Sequence, residues 1–107
     1  MKIGIVLNTA DAETAWNALR FGAMALANGM EVSTFLLGKG VEALEVRDEK
    51  FDVQGQLVSF REKGGVLLAC GTCLRSRGKQ DFEACPVSTM QDLLSLVEES
   101  DRVVSFG

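Results

Sequence analysis

At 107 residues the chain has room for one domain, 1–107, which size scaling gives about 5,800 Å² of folded surface with about 65% of its extended area buried. Hydrophobic residues are 47% and charged residues 24%, a globular composition that excludes disorder. The formal charge of −4 has the wrong sign for general binding to nucleic acid or an anionic membrane.

The opening Lys2–Leu7 run, KIGIVL, is short and apolar, as a buried central strand is. It is too short for a signal peptide. The longest other apolar stretch is Phe21–Ala27, far below the roughly 20 residues that span a bilayer, so the expectation is a cytoplasmic protein with no membrane partner. Asp11 can cap a helix running to about Asn28 and stopped by Gly29. Around Phe21 this helix is apolar on every side, more than packing on a sheet requires. Its small residues Gly22, Ala23, Ala25 and Ala27 would permit close approach, so a homo-oligomer using this helix or its neighbourhood is expected.

A second strand spans 30–37 and is closed by the GKG of 38–40. Residues 41–63 are helical in composition, with Val53, Leu57 and Phe60 spaced for one face and a break over 48–52. Gly64 and Gly65 release the chain into VLLAC, 66–70, the clearest strand. Residues 84–87 suit a short fourth strand, with Pro86 at its edge or end. Ser88 and Gln91 can form a capping box for a helix whose Met90, Leu93, Leu94 and Val97 share a face. RVVSF, 102–106, closes the chain as a fifth strand. Strands alternating with helices describe a three-layer α/β domain with a parallel sheet of four or five strands.

Ligands of open α/β sheets sit at the carboxyl ends of the strands. The loop after the first strand, Asn8 to Thr14, lacks glycine, so no phosphate-cradling nest is available there. Asn8 and Thr9 can line a crevice, or simply satisfy the turn and cap. The loop after the third strand reads Cys70-Gly71-Thr72-Cys73-Leu74-Arg75-Ser76-Arg77-Gly78-Lys79. It concentrates positive charge, and cations or helix N–H groups near Cys70 would favour its thiolate, the reactive form. Cysteine phosphatases and rhodaneses place five residues between cysteine and arginine; here that position is Ser76, which argues against both activities.

Histidine is absent, which excludes a Cys–His dyad within the chain. The cysteines are Cys70, Cys73 and Cys85, an odd number that fits a reducing compartment better than a secreted disulfide scaffold. They fall one ligand short of a structural zinc site, so neither metal nor cofactor is expected. Cys70 and Cys73 have the spacing of a dithiol redox motif. Cys85 is either a resolving thiol for the same crevice or a small buried hydrophobe.

The opening KIGIVLNTAD, the block VLLACGTCLRSRG and the tail CPVSTMQDLLSLVEESDRVVSFG resemble the DsrE/DsrF-like family across nearly the whole chain. That family includes sulfur-transfer subunits of the tRNA thiolation relay and of dissimilatory sulfur oxidation. The resemblance implies a flavodoxin-like fold without flavin, assembled as trimers or hexamers. It also implies a carrier in which Cys70 takes up persulfide sulfur from a donor protein and passes it to an acceptor. Arg75, Arg77 and Gly78 match the basic-glycine element after that cysteine, while Gly71 and Thr72 would line the crevice. Two other readings stay open: a dithiol oxidoreductase or persulfide reductase using Cys70 and Cys73, and a non-catalytic oligomeric binding or regulatory protein.

Overall fold

A computed structural model describes residues 1–78 and 87–107. Five parallel strands, β1 (Lys2–Leu7), β2 (Glu31–Leu36), β3 (Val66–Cys70), β4 (Val87–Ser88) and β5 (Arg102–Phe106), form one sheet in the order β4-β3-β2-β1-β5. Helices α1 (Ala12–Ala27), α2 (Val53–Glu62), α3 (Gly71–Ser76) and α4 (Met90–Glu99) flank it, and a 3-10 segment covers Gly38–Glu45. This is an α/β fold of flavodoxin-like architecture.

The alternation of side chains along a strand divides the core in two. Ile3, Ile5 and Leu7 of β1 and Val32 and Leu36 of β2 pack with Ala15, Ala18 and Leu19 of α1 and Leu57 and Phe60 of α2. On the opposite face Phe35 and Cys70 pack with Leu96 of α4. The chain adds β2, β3 and β4 in one direction, then crosses back beyond β1 to place β5. With crossovers of one hand, that reversal puts α4 on the face opposite α1 and α2.

Local signals explain most element ends. The Asp11 carboxylate accepts from the Thr14 N–H at 3.0 Å and starts α1. Val53, Leu57 and Phe60 are the buried residues of α2, as their spacing predicts. The stretch before the break winds as a 3-10 segment in which Gly40 lies against β1; a Cβ there would overlap the Leu7 carbonyl oxygen.

Two readings of the last third need correction. The capping box of α4 is Thr89 with Asp92, each side chain accepting from the other's backbone N–H; Ser88 is buried in β4 and cannot cap. The inward face of α4 is Leu93 and Leu96, while Met90, Leu94 and Val97 stand 60%, 52% and 45% exposed. With Leu93 and Leu96 turned to the sheet, that second apolar stripe faces outward. Of the expected fourth strand, Val87 is confirmed and residues 84–86 lie outside the described residues.

Candidate thiol site at the carboxyl edge of the sheet

β3 ends at Cys70, and α3 begins at the next residue. This places Cys70 and Cys73 at the carboxyl edge of the sheet, one helical turn apart and therefore on one side of the chain. Cys70 is 3% exposed and packs with Phe35 and Leu96. Its side chain accepts no cap hydrogen bond from α3, contrary to the expectation that helix N–H groups would hold its thiolate. Cys73 is half-buried and touches both halves of the core.

The Cys73 sulfur has a donor that comes from another loop. The Gly38 backbone N–H points at Cys73 Sγ with a separation of 3.2 Å. Gly38 holds φ at +57°, the left-handed region that favours glycine. A Cβ at this position would lie 2.8 Å from Asn8 Oδ1, so Asn8 abuts the turn that aims the donor. Burial and then the Cys70 thiol push the Cys73 thiol above its ordinary value, against the lowering influence of the Gly38 N–H and the Arg77 charge. Desolvation outweighs the cation here, so Cys73 is mostly protonated at neutral pH.

The two arginines part company. Arg77 Nε donates to Glu42 Oε2 at 2.8 Å, and its Nη1 donates to the Cys73 carbonyl at 3.2 Å. The ion pair ties the end of α3 to the 3-10 segment beside the thiol. Arg75 is exposed and its Nη2 reaches Thr72 Oγ1 at 3.4 Å, so it leans along α3 and Thr72 is occupied with it. Gly71 is buried against Val87 and Ser88 of β4. Thr9 Oγ1 accepts from the Asp11 N–H at 3.1 Å, which is the turn-satisfying role. Cys85 and Lys79 lie outside the described residues.

Asn8, Gly38, Cys70, Cys73 and Arg77 thus meet across three strand-end loops, while Arg75 and Thr9 turn to local partners. Gly38 and Glu42 were not legible as site residues. The available signal was the GKG after β2, which reads as a strand stop, and a backbone donor leaves no trace in residue identity. No group of three or more potential metal-ligating side chains occurs among the described residues.

A family model for DsrE/DsrF-like proteins matches residues 1–106. The chain belongs to the DsrE/DsrF-like family. It is 36% identical over 114 residues to the uncharacterized protein MJ0989 of Methanocaldococcus jannaschii, covering 99% of this chain and 100% of that one. It is 38% identical over 100 residues to the uncharacterized protein MK0008 of Methanopyrus kandleri, covering 88% and 83%. In fold it is similar to the crystal structure of the ychN protein from E. coli, with a TM-score of 0.88 at 23% identity over 99% of each chain. It is also similar to the conserved protein BT1422 of Bacteroides thetaiotaomicron, with a TM-score of 0.75 at 17% identity over 97% of this chain and 93% of that one. No helix among the described residues is long and apolar enough to cross a membrane.

Proposed function

We propose that this DsrE/DsrF-like protein is a cytoplasmic persulfide carrier, a sulfurtransferase-like protein in which Cys70 holds the transferred sulfur. The observation that carries this reading is the interacting pair of thiols at the carboxyl edge of the sheet, one buried and one supplied with a backbone donor. Carriage requires a thiolate that attacks the outer sulfur of a donor persulfide and later surrenders it to an acceptor thiol. A buried Cys70 persulfide would be shielded from soluble thiols between those two events. The test is transfer: protein pre-loaded with a persulfide donor and freed of it should deliver sulfur to an acceptor thiol. Delivery at the rate of a Cys70→Ser, Cys73→Ser protein treated alike would contradict the reading.

The contact between Cys70 and Cys73 favours a second reading, a persulfide reductase. Attack of one thiolate on the inner sulfur of a persulfide at the other would form the Cys70–Cys73 disulfide and release hydrosulfide. A dithiol reductant would then be needed for turnover. Accumulation of that disulfide with stoichiometric sulfide, and no delivery to an acceptor, would favour it over carriage.

We also propose a homo-oligomer. The folded chain exposes 5834 Å², close to the area that scaling gives a free monomer, so the case rests on where the apolar area lies. α4, about 15 Å long and 10 Å across, lies on a face of five strands that is about 19 Å wide. Val66 of β3 and Val103 of β5, in register with Ser33 and Gly4 on this face, are left exposed, as are the outward Met90, Leu94 and Val97 of α4. A parallel sheet is ordinarily covered on both faces, and a second copy offering the same apolar face would cover this one. The α1 surface expected to serve this role also keeps apolar side chains open, with Phe21 42% and Met24 65% exposed, Phe21 leaning on Phe106.

A further inference from the structure

We infer that Cys73 is the thiol at which sulfur enters and leaves this protein, and that Cys70 is the inner thiol that receives it from Cys73. This rests on the carrier reading and assigns an order to its two thiols. Cys70 is packed among Phe35, Leu68 and Leu96, so an incoming persulfide has no line of approach to its sulfur without opening the core. Cys73 is half-buried, and its sulfur lies beside the exposed loops that carry Asn8 and Gly38. The Gly38 N–H fixes that sulfur in place and remains available to an anion formed on it. The Arg77 charge favours the same anion against the larger opposing effect of burial, so the attacking thiolate is the minor form of Cys73.

The exchange is balanced at each step. The Cys73 thiolate attacks the outer sulfur of R–S–SH; the Cys73–sulfur bond forms, the donor sulfur–sulfur bond breaks, and R–S⁻ takes up the proton that Cys73 released. The Cys70 thiolate then attacks the outer sulfur on Cys73. A Cys70–sulfur bond forms, the Cys73–sulfur bond breaks, and Cys73 recovers the proton from Cys70. No external oxidant or reductant is consumed. Cys73 packs against the core cluster that holds Cys70, one helical turn away in α3, so the second step passes between neighbouring side chains. Delivery is the same pair of steps in reverse.

The test is a quenched time course with glutathione persulfide as donor, alkylation as quench and fragment mass mapping of the two cysteines. In the wild type the extra sulfur should appear on Cys73 first and then on Cys70. Cys70→Ser should retain it on Cys73. Cys73→Ser should load Cys70 more slowly by roughly tenfold or more, because a buried thiol reacts only while locally opened. Loading of Cys70 in Cys73→Ser at the wild-type rate would overturn the inference, as would sulfur appearing on wild-type Cys70 before Cys73. The wild-type order needs no variant, so a misfolded substitution cannot mask the answer. Absence of sulfur from both wild-type cysteines would instead bring down the carrier reading itself.

Discussion

Gly38→Ala separates the structural from the electrostatic role of the turn beside the thiols. An alanine at φ +57° meets the left-handed penalty of about 1–2 kcal/mol. Its Cβ also lies 2.8 Å from Asn8 Oδ1; Asn8 is exposed, so rotating its side chain away adds only about 0.5 kcal/mol. The sum, about 1.5–2.5 kcal/mol, should lower Tm by roughly 6–20 °C for a domain of this size. Asn8→Ala in the same background should recover the smaller part and leave the larger. The displaced turn also loses alignment of its N–H with Cys73 Sγ. Of the two influences that lower Cys73, one is then removed, so its pKa rises and its alkylation profile moves to higher pH. The assay is alkylation rate against pH at Cys73, read by peptide mass in a Cys70→Ser background with and without Gly38→Ala. A lowered Tm with an unmoved profile would refute the donor role of Gly38. An unchanged Tm would refute the conformational argument.

Removing the Arg77 charge by Arg77→Gln should raise Cys73 further and slow its alkylation at neutral pH, while Arg75→Gln leaves the profile unmoved; equal effects would contradict the different placement of the two arginines. The same Arg77 substitution should change stability by only about 0–1 kcal/mol, since its ion pair is partly exposed. Asp11 sits below its ordinary value of 3.8 because it accepts from the Thr14 backbone and side chain. Its folded pKa is depressed, so its contribution is present above pH 3.8 and is lost as pH falls through the folded value. Asp11→Asn keeps a capping oxygen and should flatten the acid side of the stability profile; an unchanged acid limb would be the contrary result. In sedimentation the wild type should assemble and Leu94→Glu should dissociate with its helices retained; a monomeric wild type would contradict self-association.

What the sequence made legible was local. Asp11 announces the start of α1, and the double glycine before Val66 announces β3, because caps and turns depend on residues a few positions apart. The α4 cap was misplaced by one residue because Ser88 and Thr89 are equally good caps, and burial of Ser88 in β4 decides between them. The outward stripe of α4 was unreadable for a related reason: Met90, Leu94 and Val97 fit helical spacing as well as Leu93 and Leu96 do. Arg75 and Arg77 stand about 200° apart around a helix, so one must lean away from whichever neighbour the other meets. Only the position of Glu42 settles which. The N–H of Gly38 was least legible of all, since it belongs to the backbone and acts across 35 residues.

The most direct test of the central claim is the mass of the native protein after exposure to a persulfide donor and removal of the excess. Carriage predicts a protein heavier by one sulfur atom, with that sulfur mapped to Cys70 and removable by an acceptor thiol. A protein of unchanged mass with both thiols free, from every donor tried, would contradict it.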